Sequence, residues 1–473
     1  MSKKPITLDS KGYRKFGMVD KLAYAAGDFG CNMSFALKSY MMIYWTQFMK
    51  MDSYVYAILL VVCQVWDAIN DPVIGSLIDA DKRQYKRNKF LQYIWVGSIG
   101  LIVAGAACFM PFPGAPAFAK NILFVAGYVF WDAFYTVANV PYGSMLSLIT
   151  DDAAERAQLS SWRGAGSMIG GIISGVLIPV MIYDAANEMR GDMMWIIALV
   201  MGVLGFIAFQ FLIKKTEIRV DLNVNCNEDA PKFNVFSAIK NFCRNRPALG
   251  ATLGACSMFL GTYGAGTAST VLFQAYFKNA QISGAVQMLI LLPSFFFMPF
   301  IAKIVRKWGK KEASSFGCMF SVAACVLMLI VPITPDMPGM LVYILCQLLN
   351  GLGMGVFGCV AYSMMADAID YNEWKFGTRE EGMIYSLHSF FRKLAQGVSP
   401  SLGLVVATML GYVAANGAQQ TDEVTLTMRY LVAAFYLVAA VLQFVGVKFV
   451  FNLDKKTLAV MNKELEERRS ANN

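Results

Sequence analysis

The chain of 473 residues is 57% hydrophobic and only 15% charged, whereas an ordinary soluble domain carries roughly a quarter charged residues. Water is therefore not its main solvent, and the net charge of +9 is spread over loops between apolar stretches, which argues against nucleic-acid binding. A single histidine, and ten cysteines that sit mostly in apolar runs without a CxxC or Cys/His cluster, set zinc chemistry aside.

Residues 1–19 are polar and basic and lack a small-residue cleavage site, so the first apolar segment is expected to target the chain itself. From there apolar stretches of about 20 residues recur to the end, each long enough to cross roughly 30 Å of hydrocarbon as a helix. Twelve spans are predicted, at 20–48, 55–79, 90–111, 119–148, 161–183, 192–213, 248–277, 284–305, 313–333, 338–366, 383–413 and 425–450. With both termini cytoplasmic, only Lys50, Lys120, Arg190, Lys278 and Arg429 fall on the outer side. This satisfies the positive-inside rule, and Lys82, Arg83, Lys86, Arg87 and Lys89 form its densest short loop. The charge thus reports the topology of a multi-pass plasma-membrane protein, expected in a bacterial inner membrane.

The long polar connection 214–247 divides the spans six and six, giving bundles at 1–213 and 248–453 and a polar tail at 454–473 expected to be exposed. An offset of about 228 residues lays the basic loop after span 2 over that after span 8, from Lys303 to Lys311, a repeat of charge and hydropathy. Two six-helix halves joined by a linker imply an all-α integral membrane protein with the major facilitator fold, whose substrate site lies between halves. Gly75-Ser-Leu-Ile-Asp79 followed by basic residues resembles that superfamily's loop signature. On span 5, Gly164, Gly166, Gly170, Gly171 and Gly175 are expected to let helices approach closely.

Ionisable residues inside a span cost at least about 2.5–3.5 kcal/mol each by insertion scales and are functional candidates by default. Span 2 carries Trp66-Asp67-Ala-Ile-Asn70-Asp71-Pro72, in which Asp67, Asn70 and Asp71 share a helix face. Two carboxylates roughly 6 Å apart repel by about 3 kcal/mol at an effective dielectric near 20, so a positive group is expected between them. Sodium, a proton or a basic side chain would each serve. Span 11 aligns Tyr385, His388, Ser389, Arg392, Lys393 and Gln396 in a polar stripe, with Lys393 placed to pair with the span 2 acids. Arg163 on span 5 and Arg392 have no obvious acid partner, although Asp367 and Asp370 on span 10 are placed to neutralise one of them. Span 1 adds Asp28, Asn32 and Lys38, the first and last of which are expected to neutralise each other or to serve the site. Span 4 adds Trp131, Asp132, Tyr135, Thr136, Asn139 and Tyr142, where the aromatic rings serve either a sugar face or the packing.

Taken together these segments resemble the glycoside–pentoside–hexuronide:cation symporters, the family of the melibiose permease. The resemblance runs over nearly the whole chain. It rests on Lys21-Leu-Ala-Tyr24 and Gly27-Asp-Phe-Gly30, WDAINDP at 66–72, Asn139-Val-Pro141-Tyr142-Gly143, and Glu155-Arg156-Ala-Gln158-Leu ahead of Arg163. Asp370-Tyr371-Asn-Glu373-Trp374, Arg379-Glu380-Glu381-Gly382 and Tyr385-Ser with Arg392-Lys393 extend it. It implies a sodium or proton site at Asp67, Asn70, Asp71 and Thr136, Lys393 beside that site and Arg163 at the sugar. Substrate contacts are expected from Asn32, Tyr135, Asn139, Arg163, His388, Arg392 and Lys393. Where galactoside recognition would need acids the chain has Asn32 and Asn139, and where it would need a stacking Trp it has Gly143. The resemblance therefore favours the glucuronide, pentoside and sulfoquinovose transporters over melibiose.

The expected activity is import of a glycoside, either an acidic sugar such as a hexuronide or a pentoside, by symport with sodium or protons and without an organic cofactor, through a monomer in the bilayer. A lysolipid or amphiphile carrier of the same fold is the alternative. An integral-membrane enzyme is remote, because no nucleophile and base set or metal-ligand cluster is evident.

Overall fold

A computed structural model describes residues 14–219, apart from 82, 84, 86 and 151, and residues 242–471, apart from 290, 291, 294–299 and 378–380. Most of the linker, Lys82 and Lys86 of the basic loop, and Arg379 and Glu380 lie outside the described residues. The chain divides into two compact units, 1–228 and 229–473.

In the first unit the described α-helices longer than a single turn are α1 (Met18–Phe35), α2 (Lys38–Ile43), α3 (Ser53–Ala80), α4 (Lys89–Cys108), α5 (Ala117–Ser144), α6 (Ala153–Ile182) and α7 (Gly191–Lys215). Side-chain caps start several of them: the Asp52, Asn88 and Asp152 carboxylates and amide accept first-turn N–H groups that have no partner within the helix. α1 packs on α6 and α7, α4 on α5 and α7, and α3 on α5. The closest of these contacts requires glycine. A Cβ on Gly166 would overlap the Ala25 carbonyl of α1, and one on Gly170 would come within 2.9 Å of the Asn32 Cβ. Gly166→Ala is accordingly expected to lower stability by about 1–3 kcal/mol, the usual cost of overpacking, read as a lower melting temperature of the purified protein in detergent.

The second unit holds α8 (Arg246–Phe259), α9 (Gly266–Val271), α10 (Ser283–Leu289), α11 (Ile301–Trp308), α12 (Lys310–Ile330), α13 (Met337–Phe376), α14 (Glu381–Met409), α15 (Asp422–Val445) and α16 (Lys455–Ala471). Its core gathers Phe242, Phe357, Met364, Ile369, Leu387 and Val447 where α8 meets α13, α14 and α15.

Eight described helices are long and apolar enough to cross a membrane. The other four expected spans differ for local reasons. Span 1 is broken by a turn at Ala36-Leu37 and ends in a π turn, Tyr44–Phe48. Span 7 is interrupted by π turns at Leu260–Ala265 and Leu272–Tyr276. Span 8 runs over residues outside the described set, and span 11, within α14, carries the polar stripe.

The repeat noticed in the charge pattern also exists in the backbone. In both units a five-residue π turn, Tyr44–Phe48 or Leu272–Tyr276, is followed two residues later by a lysine with positive φ, 56° at Lys50 and 48° at Lys278. A matching hydrogen bond of 2.9 Å closes each turn, from Met51 N–H to the Trp45 carbonyl and from Asn279 N–H to the Phe273 carbonyl. These positions are 228 residues apart, so the offset read from hydropathy superposes one backbone device on the other.

Two expectations about element ends are corrected. The tenth span was expected to end at 366, yet α13 continues to Phe376 and stops at Gly377, whose φ of 75° is the left-handed conformation glycine adopts freely. Hydropathy marks where lipid ends, not where the helix ends. The polar extension is held by partners: Lys310 Nζ lies 2.7 Å from both Asp367 oxygens, and Asn245 donates to the Ala368 carbonyl at 2.8 Å. The tail at 454–473 was expected to be exposed, but α16 docks on α12 and α13. It buries Met461 and Leu465, Trp374 Nε1 donates to Glu464 at 2.7 Å, and Arg468 donates to the Trp374 carbonyl at 3.0 Å.

The basic loop after α3 does more than carry charge. Arg87 donates to the Ile213 and Thr216 carbonyls at the C-terminus of α7, and Lys89 donates to the Ile78 carbonyl at the C-terminus of α3, a favourable place for cations. Hydrogen bonds from Tyr85, the Arg83 backbone and Tyr93 hold the Asp81 carboxyl well below the usual carboxylate range.

Candidate functional site

The face shared by Asn70 and Asp71 on α3 is turned to α5. Asn70 is buried, and its amide donates to Thr136 Oγ1 at 2.9 Å and to Asp132 Oδ2 at 3.2 Å. Thr136 in turn donates to Asp71 Oδ1 at 2.9 Å. A hydroxyl has one proton, so the threonine accepts from the amide and gives its hydrogen to the carboxylate, which fixes the direction of the chain. Three of the four expected cation ligands are thus linked side chain to side chain. Asp132, one helical turn before Thr136, is a third carboxylate in the cluster. It is only 2% exposed, and the spacing rules applied to span 2 gave no reason to assign it there.

The fourth expected ligand, Asp67, meets a cation from an unexpected direction. Lys38 of α2 places Nζ 3.7 Å from Asp67 Oδ2. The expected neutralisation of Asp28 by Lys38 is not what forms: Asp28 instead accepts from Arg163 Nε at 2.9 Å. A sequence cannot rank these pairings, because Asp28 and Lys38 lie ten residues apart and point to different neighbours, α6 for one and α3 for the other.

The Asp28–Arg163 pair overturns the expectation that Arg163 has no acid partner. Its guanidinium also lies over the Tyr142 ring, 5.0 Å from the centre, while the Tyr142 hydroxyl donates to the Tyr24 carbonyl at 2.8 Å. Asn32 stands on the same patch, donating to Ser167 Oγ and to the Asp28 carbonyl, both at 2.9 Å. Asn139 accepts a weak bond from Cys31 Sγ at 3.6 Å. Trp131 is buried and donates to Ser34 Oγ at 2.8 Å, so its ring is held inside the unit; half-buried Tyr135 stacks on it at 5.7 Å. At Gly143, where the resemblance placed a stacking ring, a Cβ would meet nothing within 4 Å.

In the second unit α14 spreads its stripe over different surroundings. His388 is buried, with Nδ1 2.9 Å from Thr252 Oγ1 of α8. Arg392 is half-buried between the rings of Phe259 and Tyr362, 5.7 and 5.9 Å from their centres, and donates to the Tyr362 hydroxyl at 3.1 Å. Its Nε is buried without a hydrogen-bond partner, and among the described residues no carboxylate lies within ion-pair distance of it. Asp367, one of the acids expected to neutralise an arginine, is taken by Lys310. Lys393 follows on α14 and is half-buried. Gln396 donates to the Tyr263 hydroxyl at 3.0 Å, and Tyr263 stacks on Phe259.

Intramembrane acids, amides and cations with these short links suit binding of a small cation and a polar solute. Among the described residues no group of three or more His, Cys, Asp or Glu side chains has the arrangement of a metal centre.

Comparison with known proteins agrees with this architecture. Residues 23–455 match the family described as MFS/sugar transport protein. The chain is 28% identical over 463 residues to the uncharacterized symporter YjmB of Bacillus subtilis (strain 168), covering 96% of each protein. It is 25% identical to a putative sulfoquinovose importer of Salmonella typhimurium, covering 99% of this chain and 96% of that one. Among solved structures, the nucleoside transporter NupG shares the fold with a TM-score of 0.54 at 14% identity, over 91% of this chain and all of that one (100%). The chain therefore belongs to the MFS/sugar transport protein family and is a multi-pass membrane transporter of the major facilitator type.

Proposed function

We propose that the protein imports an acidic glycoside, a sugar carrying a carboxylate or sulfonate, by symport with sodium or protons. The observation that carries the acidic part is Arg392: a half-buried guanidinium between two aromatic rings, with a buried Nε lacking a partner and no carboxylate beside it among the described residues. Such a cation is costly without a counter-charge, and a substrate anion would supply one, with the rings of Phe259 and Tyr362 offering apolar faces to the sugar. Similarity to the protein described as a putative sulfoquinovose importer supports a sulfonated or comparably acidic sugar. The coupling part rests on Asp67, Asn70, Asp71 and Thr136, to which we add Asp132. Hard carboxylate, amide and hydroxyl oxygens favour sodium or a proton over a soft metal. In the first unit Asn32, Tyr135, Asn139 and Arg163, and in the second His388 and Lys393, remain the residues proposed to serve sugar binding. Of these, Arg163 serves through Asp28 and His388 through Thr252.

The test is uptake into right-side-out vesicles with an inward sodium or proton gradient, offering glucuronides, sulfonated sugars and neutral pentosides. Accumulation of an acidic sugar that collapses when both gradients are dissipated is the expected result. Accumulation of neutral sugars alone would refute the acidic reading, and gradient-independent equilibration would refute symport.

A further inference from the structure

Lys38 opens α2, and its ammonium sits between two kinds of neighbour. On one side is Asp67 Oδ2 at 3.7 Å, the outer range of an ion pair. On the other are the faces of Tyr128 and Phe35, with ring centres 5.3 and 5.6 Å from Nζ, within cation–π range. The Tyr128 ring has a fixed place, because Gln64 donates to its hydroxyl at 2.6 Å and both residues are buried. One position of the charge thus meets the acid and both rings, so the ring contacts can hold the ammonium when the acid is taken by another cation. The other acid of that stretch, Asp28, already has Arg163, so Lys38 is not needed there. Around Asp67, by contrast, α3 and α5 bring together three acids, Asp67, Asp71 and Asp132, and Lys38 lies within ion-pair distance of Asp67.

We propose that Lys38 is a tethered stand-in for the coupling cation: in the ion-free protein its ammonium neutralises Asp67, and an ion arriving at Asp67 and Asp71 displaces it from the carboxylate, leaving it held by the faces of Tyr128 and Phe35 that it already meets. This deepens the cation-site reading given above and rests on it. Two consequences follow from the competition. The emptied carrier returns across the membrane with one acid compensated, which lowers the cost of its reorientation. The ion must displace a built-in rival, so its affinity is held low enough for release.

The experiment is a sodium chloride titration of the purified full-length protein by calorimetry, at ionic strength held constant with choline chloride. If the wild type takes no sodium, the same comparison is read as proton uptake with an indicator dye in unbuffered solution. Lys38→Met removes the rival and is expected to tighten cation binding at least about tenfold, equivalent to about 1.4 kcal/mol. In vesicles the same variant is expected to keep sugar exchange and to lose most net accumulation. Lys38→Arg keeps a positive charge and is expected to stay within about threefold of the wild type. An ion pair that merely joins helices would lower the melting temperature in Lys38→Met and leave cation affinity unchanged or weaker, and that result overturns the proposal. Equal tightening in Lys38→Arg would show a steric effect and overturn it too. Asp71→Asn separates the two readings: cation binding that survives Asp71→Asn sinks the cation site itself, whereas binding lost in Asp71→Asn but indifferent to Lys38→Met sinks only the stand-in.

Discussion

Replacing Asp71 by asparagine is expected to abolish gradient-driven accumulation while leaving membrane insertion and melting temperature close to wild type. The asparagine oxygen still accepts the Thr136 hydroxyl, so the link between α3 and α5 at 2.9 Å is retained, and only the charge is removed. A neutral side chain is also easier to hold inside a membrane than an ionised acid. Asp67→Asn is expected to have the same effect on accumulation with a lower stability. It leaves the Lys38 ammonium without its acid, and because the side chains of that pair are only 18% and 25% exposed the cost is about 1–3 kcal/mol, below the figure for a fully buried close pair because the two charges are 3.7 Å apart. Exchange of labelled for unlabelled sugar is expected to survive in both variants, because it needs no net movement of the ion. The measurement is the ratio of accumulated to external sugar under a sodium or proton gradient, compared with exchange in the same vesicles. Undiminished accumulation in both variants would make the acid pair a structural feature.

Much of the fold was legible because hydropathy reports burial in lipid directly. Eight of the expected spans reappear as long apolar helices, and the repeat of about 228 residues recurs in two π turns and two left-handed lysines. What hydropathy could not give were features held by partners rather than by lipid. The last turns of α13 and the docking of α16 depend on Lys310, Asn245 and the Trp374–Glu464 contact, and polar runs with such partners look the same in a sequence as polar runs in water. In the site, spacing on one helix was enough to group Asp67, Asn70 and Asp71, since residues three and four apart share a face. Pairing between helices was not legible. Asp28 with Arg163, Lys38 with Asp67, and the place of Asp132 beside Asn70 depend on which faces of α1, α3, α5 and α6 meet. A carboxylate one turn ahead of Thr136 was a visible signal for Asp132, had the helix contact been known.

The two arginines once expected to behave alike are now expected to separate. Arg163→Gln strands Asp28, whose side chain is 12% exposed, and the loss is estimated at about 1–3 kcal/mol of stability. That is below the figure for a fully buried pair because Arg163 itself is 38% exposed and partly screened. Binding of acidic and neutral sugars is expected to weaken together, since the patch that also holds Asn32 is disturbed, and Asp28→Asn added to Arg163→Gln is expected to restore part of the melting temperature. Arg392→Gln strands no carboxylate. Its loss removes a counter-charge for the substrate and leaves Phe259 and Tyr362 in place, so stability is expected to hold. The affinity for a glucuronide or sulfonated sugar is then expected to fall by at least about 2 kcal/mol, roughly thirtyfold in Kd, with a much smaller change for a neutral analogue. Calorimetric binding of a matched acidic and neutral pair to the wild type and both variants makes the comparison. Equal losses for the two sugars in Arg392→Gln would mean that this guanidinium binds hydroxyls, and a selective loss in Arg163→Gln instead would move the anion contact to the first unit.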